Sequence, residues 1–339
     1  MYSNKSIIVK KFGDLKHTVL EPSKLPPLEG RIEVEVHYCG VNFSDLYTRL
    51  GFLRHNLPFI LGSECSGVIS AVGIHNDRYK VGERVICYDY KGGLYSDIVR
   101  VPPECVFHLP SDIPLDIAAT LFVNYLTAYF AVIEFGNLQP HESILINSCA
   151  GGVGTAATQL AKTIKNVTIY GTASLSKASY AVENGVDRLF NYQDVITDLQ
   201  QLEPMGIDVI IENQSANTMH ENLQLLKPMG RMVLVGINAA ITENYLSYFT
   251  LFKMWLKSWW FSLTDLVMHN RCVAGLHLGT LLDKDHNRVR DALKFIFDLY
   301  RQRKIVPNID SIWSIEEYNC AIRMLARRKN RGKVLLKVE

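Results

Sequence analysis

The sequence predicts an α/β protein of two domains, one β-rich and one built on a doubly wound parallel sheet. Three observations carry this expectation. The chain has 339 residues, about twice the ~150 of an ordinary domain. Its first third breaks into short apolar runs punctuated by Gly, Pro and Asp, as in an all-β domain. Its middle alternates strand-like runs with segments of helical period, the texture of βαβ units on a parallel sheet.

The opening residues 1–13 hold Asn4, Lys5, Lys10 and Lys11 around a short apolar run, so they read as a first strand rather than a secretory signal. Strands are expected at 7–9, 32–36, 67–72, 84–88 and 96–101, with turns at Pro26-Pro27, Gly82-Glu83 and Gly92-Gly93. After Pro114 the texture changes to an apolar helix over 116–134. Its most apolar part, 121–133, is about half the ~20 residues that span a bilayer, so no transmembrane helix is expected. Strands follow at 143–147, 167–172, 208–212 and 232–236. Pro228-Met229-Gly230 is expected to stop the helix before the last of them. A helix over about 287–303 carries Val289, Leu293, Ile296, Phe297 and Tyr300 on one face, and 332–338 reads as a returning strand. The expected boundaries are 1–120 for the β-rich domain, rejoined by about 300–339, and 121–299 for the parallel-sheet domain.

Composition narrows the partners. A net charge of +2 with no extended basic face gives no reason to expect nucleic acid. The seven cysteines, at 39, 65, 87, 105, 149, 272 and 320, are odd in number and contain no C-x-x-C pair. They suggest neither a disulfide framework nor a zinc knuckle, and they suit a reducing, cytoplasmic compartment.

The expected strand at 143–147 runs into Cys149-Ala150-Gly151-Gly152-Val153-Gly154 and then a helical segment at 155–164. Strand, glycine turn and helix in that order make a Rossmann dinucleotide site. Gly151 lets the backbone approach a pyrophosphate, Gly154 lets helix and strand pack closely, and the first helical turn through Gly152 and Val153 offers amides at a positive dipole end. Cys149 stands where the fingerprint has its first glycine, and the same turn without a ligand would be a tight connection. An NAD site places an acidic residue about 20 positions further on. Here 155–177 contains no Asp or Glu, and Ser174, Ser176 and Lys177 offer hydroxyls and an ammonium. These suit a 2′-phosphate and predict NADPH. The alternative is a serine N-cap followed by a solvated lysine.

Residues 39–51 read Cys-Gly-Val-Asn-Phe-Ser-Asp-Leu-Tyr-Thr-Arg-Leu-Gly. With Leu61-Gly62-Ser63-Glu64, Val81-Gly82-Glu83-Arg84-Val85, the Ala-Gly-Gly-Val-Gly loop, Gly171-Thr172-Ala173-Ser174 and Gly332-Lys333-Val334-Leu335, the chain resembles the medium-chain dehydrogenase/reductase superfamily over nearly its whole length. Within it the zinc-free quinone oxidoreductases are most similar. Val123-Asn124-Tyr125-Leu126-Thr127-Ala128-Tyr129, Phe135-Gly136-Asn137-Leu138-Gln139-Pro140 and Gly275-Leu276-His277-Leu278-Gly279 resemble the synaptic-vesicle membrane amine-transport protein homologues. The resemblance implies a GroES-like first domain, a Rossmann second domain and a homodimer. Zinc-dependent members hold metal with a Cys and a His where this chain has Asn42 and Ser63, and Glu64 alone cannot make a three-ligand site, so no metal is expected. The resemblance further implies hydride transfer from NADPH to a quinone or α,β-unsaturated carbonyl. Asn42 and Tyr47 then act as donors to the substrate oxygen, Asp45 as a positioning group, Thr127 lies near the nicotinamide ribose or phosphate, and Tyr192 at the adenosine end; the alternative is that Tyr47 and Asp45 pack and cap a short helix. Two departures bear on this: Leu53 replaces a tyrosine common in quinone reductases, and Glu212-Asn213-Gln214-Ser215-Ala216 replaces an Asp and Val-Gly or Leu-Gly pattern. His277, flanked by leucines, reads as a satisfied core or cleft histidine rather than a base.

The Trp-rich segment 245–266 is the remaining feature. Tyr245, Tyr248, Phe249, Phe252, Leu256, Trp259, Leu263 and Leu266 fall on one helical stripe, with Trp255, Trp260 and Phe261 outside it and Lys253 and Lys257 alongside. Such a helix either packs between domains or protomers, or rests on a membrane or an apolar partner. The resemblance to vesicle proteins implies a peripheral place on vesicle or mitochondrial membranes. A second function follows from it: an NADPH-binding protein engaging lipid or a partner with little turnover.

Overall fold

The structure, a computed structural model, describes residues 4–53, 55–74, 76–214, 216–236, 238–259 and 263–338; of residues 216–218, 254 and 257–259 it describes the backbone. The chain divides into two compact units. The first comprises Met1–Val123, Ile241–Leu246 and Ile309–Glu339, and the second Asn124–Ala240 and Ser247–Asn308.

In the first unit, β1 (Lys5–Val9), β2 (Thr18–Pro22) and β4 (Phe59–Ile60) make a small antiparallel sheet. The larger sheet is organised on β3 (Ile32–Val41), whose Ile32, Val34 and Val36 alternate inward as period-two patterning requires. It pairs antiparallel with β5 (Glu64–Val72), β7 (Ile98–Val101) and β16 (Lys333–Lys337). Beyond β5 lie β6 (Arg84–Tyr88) and β8 (Val106–His108), and beyond β16 lies β15 (Ile309–Ser314), which completes seven strands. The strand expected at 332–338 is β16, and it places the C-terminal segment beside β3. Helix α1 (Phe43–Arg49) leaves β3 after Asn42, and α11 (Tyr318–Ala326) precedes β16.

In the second unit, β9 (Ser143–Ile146), β10 (Thr168–Thr172), β11 (Arg188–Phe190), β12 (Ile207–Glu212), β13 (Leu226–Leu234) and β14 (Cys272–Gly275) form one parallel sheet. Its order, β11-β10-β9-β12-β13-β14, is the doubly wound arrangement that reverses between β9 and β12. Helices α3 (Gly152–Lys162), α4 (Ala178–Asn184), α5 (Val195–Leu202), α6 (Ala216–Gln224), α9 (Leu278–Lys284) and α10 (His286–Arg301) complete the α/β pattern. One core cluster joins Leu145, Tyr170, Phe190, Ile210 and Met232 of the sheet to Val195, Leu199 and Leu223.

Three expectations change. Pro228-Met229-Gly230 does not stop a helix: α6 ends at Gln224, and these residues lie inside β13. There the register shifts between Ile207 and Val209, and Met229 adopts a φ of 66°, so the sequence that looked like a helix stop is an irregularity in a strand. The apolar helix expected over 116–134 is present, but its apolar length exceeds the 121–133 on which the expectation of no transmembrane helix rests. Helix α2 (Leu115–Tyr129) continues through a π-helical Phe130–Phe135, 21 residues long and apolar enough to cross a membrane by length and composition. Its most apolar window is 67% buried inside the protein, which is the environment of a core helix. The aromatic stripe does not begin in a helix: Tyr245 precedes α7 (Tyr248–Trp259), and further stripe residues lie in α8 (Leu263–His269), with Trp260 and Phe261 outside the described residues.

Candidate functional site: a phosphate loop and a buried polar network

The phosphate loop begins where β9 ends. Ser148 adopts a φ of 54°, an uncommon conformation for a residue with a Cβ, and its N–H donates to Thr172 Oγ1 at 3.1 Å, tying it to the neighbouring strand. Gly151 caps α3. The first-turn N–H groups, Gly152 to Gly154, come before any residue of the helix can accept them, which leaves them as donors for an anion. A Cβ on Gly154 would stand 2.3 Å from the Ser148 carbonyl oxygen and 2.6 Å from Cys149 Cα, so only glycine permits this approach of helix to strand. A Cβ on Gly152 would collide with the Asn124 amide of α2, one turn before the buried Thr127.

Cys149, at the place of the missing first glycine, is accommodated by another glycine. A Cβ on Gly171 of β10 would stand 2.6 Å from Cys149 Sγ, so the bare Gly171 backbone makes room for the thiol. Burial pushes that thiol up to about 12, while the Lys177 ammonium pulls the other way, which places the Lys177 charge within electrostatic reach of the loop. Ser174 and Ser176 are exposed and share a hydrogen bond of 3.1 Å at the end of β10. Tyr192 donates from its hydroxyl to Ser148 Oγ at 3.2 Å. The sequence-predicted cofactor residues Gly151, Gly152, Val153, Gly154, Ser174, Ser176, Lys177 and Tyr192 therefore gather at the carboxyl ends of β9, β10 and β11. A dinucleotide fits these residues: amides and Lys177 for phosphate, and glycines where a Cβ would intrude.

Beneath the loop the altered segment after β12 is built inward. Asn147 donates to Glu212 at 2.9 Å and accepts from Thr172 Oγ1 at 3.0 Å, so one amide links the ends of β10, β9 and β12. Asn213 donates to the Asn147 carbonyl at 2.9 Å, and Gln214 donates through its side chain to Ser148 Oγ. Ser215 lies outside the described residues. Asn147, Glu212 and Asn213 are buried.

The first unit holds the other predicted residues. Asp45, in the first turn of α1, is buried. Its carboxylate accepts the Asn42 N–H at 2.8 Å, the Tyr95 hydroxyl at 2.6 Å and Ser63 Oγ at 3.0 Å. Asn42 has its side-chain amide within reach of Glu64 (2.9 Å), the Gly40 carbonyl (3.1 Å) and Ser63 Oγ (3.3 Å), while Oδ1 accepts from Lys333 Nζ at 2.8 Å. Asn42, expected to donate to a substrate oxygen, is thus engaged inside the protein. Lys333 also donates to Glu64, whose other oxygen accepts the Val123 N–H at 3.1 Å. Desolvation raises Asp45 to about 6 against the pull of Tyr95, Asn42, Ser63 and Lys333. Tyr47, two residues on, is half-buried, its ring 5.9 Å from that of Phe52. Tyr95 and Lys333 are functional candidates that sequence reasoning missed. The available signal was a lone lysine opening the apolar run Val334-Leu335-Leu336.

This donor set does not suit zinc. Asn42 presents N–H groups inward, Ser63 is hydrogen-bonded to a carboxylate, and the Lys333 ammonium already sits on Glu64. Among the described residues no group of three His, Cys, Asp or Glu is placed to hold a metal. His277 is exposed rather than in a core, and it caps α9 by accepting the Thr280 N–H.

Comparison with known proteins agrees with this architecture. Residues 152–298 match the family described as zinc-binding dehydrogenase, and 28–111 match the alcohol dehydrogenase GroES-like domain. The synaptic vesicle membrane protein VAT-1 homolog of Homo sapiens is 35% identical over 337 residues, spanning 97% of this chain and 85% of that protein. The crystal structure of the human VAT-1 homolog-like protein superposes with a TM-score of 0.84 at 29% identity, covering 99% of this chain and 98% of the other. A Pseudomonas syringae quinone oxidoreductase gives 0.85 at 25% identity, covering 98% and 99%. The fold is that of an oxidoreductase with an NAD(P)-binding domain. The chain belongs to the medium-chain dehydrogenase/reductase superfamily, close to the VAT-1 homologues.

Proposed function

We propose that this protein is a zinc-independent reductase that uses NADPH to reduce quinones or α,β-unsaturated carbonyls. One observation carries the cofactor choice: the end of β10 offers Ser174, Ser176 and Lys177, and no carboxylate occurs between Thr155 and Lys177 to bind a free ribose 2′-hydroxyl. When bound, NADPH supplies the hydride. Lys177 and the two serines hold the 2′-phosphate, the α3 amides hold the pyrophosphate, and Tyr192 lies at the adenosine end. Tyr47, half-buried in α1, is the proton or hydrogen-bond donor to the reduced oxygen, the role the family resemblance implies for it. Asp45 and Asn42 hold the start of α1, from which Tyr47 projects. The likeness to the Pseudomonas quinone oxidoreductase supports the substrate class.

The test is titration of the protein with NADPH and NADH by cofactor fluorescence, followed by a quinone panel added to the saturated complex. Preferential NADPH binding and oxidation of the cofactor are expected, with turnover reduced by Tyr47→Phe. Equal affinity for the two cofactors would remove the 2′-phosphate assignment.

A second reading is favoured by α7 and α8. Tyr248, at 76% exposure, and Phe249, at 68%, stand open with Phe252, Trp255, Leu256, Leu263, Val267 and Met268. Lys253 lies 4.3 Å above the Phe249 ring, and Phe252 stacks on Trp255 at 5.9 Å. Aromatic side chains beside a lysine suit the headgroup level of a bilayer. On this reading the protein lies peripherally on a membrane with NADPH bound. Co-sedimentation with anionic phospholipid vesicles, weakened by Phe249→Ser with Trp255→Ser, supports it; unchanged co-sedimentation refutes it.

A further inference from the structure

The buried network of the first unit contains two carboxylates, Asp45 and Glu64, and a single ammonium, Lys333, all shielded from water. Lys333 reaches this place from β16, where Val334 and Leu335 pair with Val41 and Gly40 of β3. Its path depends on Gly40: a Cβ there would stand 2.2 Å from Glu64 Oε1 and 2.7 Å from Lys333 Cε. A lysine carries three donors and no acceptor. Its contact with Asn42 Oδ1 at 2.8 Å therefore fixes which end of that amide faces β16 and turns Nδ2 toward Glu64 and Ser63. The same Asn42 gives its backbone N–H to Asp45.

We propose that Lys333 is a positioning residue for the reduction: from the C-terminal strand it locks the amide of Asn42 and balances the two buried carboxylates, so that the start of α1 presents Tyr47 in one geometry. This rests on the reductase reading above. Asp45 is faced by Cys39 of β3, the Tyr95 hydroxyl, Ser63 and, across Asn42, Lys333, and Glu64 of β5 is reached through the same Asn42. Among these charged and titratable neighbours Lys333 is the cation, and it favours the ionised form of Asp45, while the negative charge of Glu64 opposes it.

The experiment follows the Asp45 carboxyl carbon by NMR titration of the full chain labelled at aspartate, with the resonance assigned by its loss in Asp45→Asn. Lys333→Met is expected to raise the Asp45 midpoint by about 1 pH unit, Glu64→Gln to lower it by a similar amount, and Lys333→Arg to leave it near wild type. Because Lys333→Met leaves Glu64 charged and unpaired, it can fail to fold; Glu64→Gln, nearly isosteric, then decides alone. A midpoint unmoved in whichever of Lys333→Met and Glu64→Gln folds overturns the proposal. Turnover of a small quinone with NADPH is then measured against pH. The kcat profile is expected to move with the Asp45 midpoint while KM stays constant, and a profile that stays fixed while the midpoint moves also overturns it. Absence of turnover in the wild type would instead refute the reductase reading, leaving the hold of Lys333 on Asp45 to be judged by the titration.

Discussion

The phosphate loop of the second unit and the Lys333 network of the first do their work with different material. The loop uses backbone: amides at the start of α3, glycines at 151, 152 and 154, and a left-handed Ser148 held by Thr172. The network uses side chains, with Asn42, Asp45, Ser63, Glu64, Tyr95 and Lys333 closing on one another away from water. A backbone site tolerates changes in neighbouring side chains as long as the turn is kept. A buried side-chain network tolerates almost none, because each deletion leaves a polar partner unsatisfied.

The largest effect on cofactor binding is expected where the backbone site is attacked directly. Gly154→Val would drive a Cβ into the Ser148 carbonyl and Cys149. Neither atom belongs to a flexible side chain, so the loop itself must shift. Affinity for NADPH should fall on the order of 100-fold while the first unit keeps its thermal transition, read by fluorescence titration and calorimetry. Retained affinity would mean that the loop does not hold the cofactor.

That contrast also explains what could be read in the sequence. The strand, glycine turn and helix of the loop were legible because they follow one another in consecutive residues. The paired strands were legible because burial imposes a period of two. The network was not, because its members lie at 42, 45, 63, 64, 95 and 333 and meet only when β16 returns beside β3. Asn42 and Asp45 entered through family resemblance, and the resemblance was silent about where the Asn42 amide points. The misread Pro228-Met229-Gly230 has the same origin: proline and glycine mark an interruption, and only pairing with β12 shows that a strand is what they interrupt.

The next prediction tests the side-chain network through pH. In the fold Asp45 has a midpoint of about 6 against an ordinary 3.8. A raised acid binds its proton more tightly when folded, so its contribution to stability is complete below pH 4 and is lost as pH rises to about 6. A difference of about 2 units corresponds to about 3 kcal/mol. Asp45→Asn cannot titrate. Urea unfolding from pH 4 to 7 should therefore show wild-type stability declining relative to Asp45→Asn over pH 4–6 and running parallel above. Parallel curves throughout would place the Asp45 titration elsewhere.

A smaller effect separates charge from backbone within the cofactor site. Lys177→Ala removes the ammonium near the loop and leaves every glycine in place. NADPH affinity should fall about tenfold, equivalent to about 1.4 kcal/mol, with NADH affinity unchanged. Equal losses for both cofactors would assign Lys177 to the pyrophosphate instead of the 2′-phosphate.

The smallest effect concerns the departure from the glycine fingerprint. Cys149 is tolerated because Gly171 faces it without a side chain, so the two positions share one volume across β9 and β10. Gly171→Ala should destabilise the protein by overpacking against Cys149 and Val186, and Cys149→Gly should destabilise it by leaving that volume unfilled and loosening the turn. Together the substitutions should recover about 1 kcal/mol of the summed loss, since the added methyl occupies space the thiol vacates. The double-mutant cycle is read by urea denaturation. Simple additivity would mean that Cys149 and Gly171 do not compensate each other, and that the loop accepts a cysteine at its first position for a reason local to the turn.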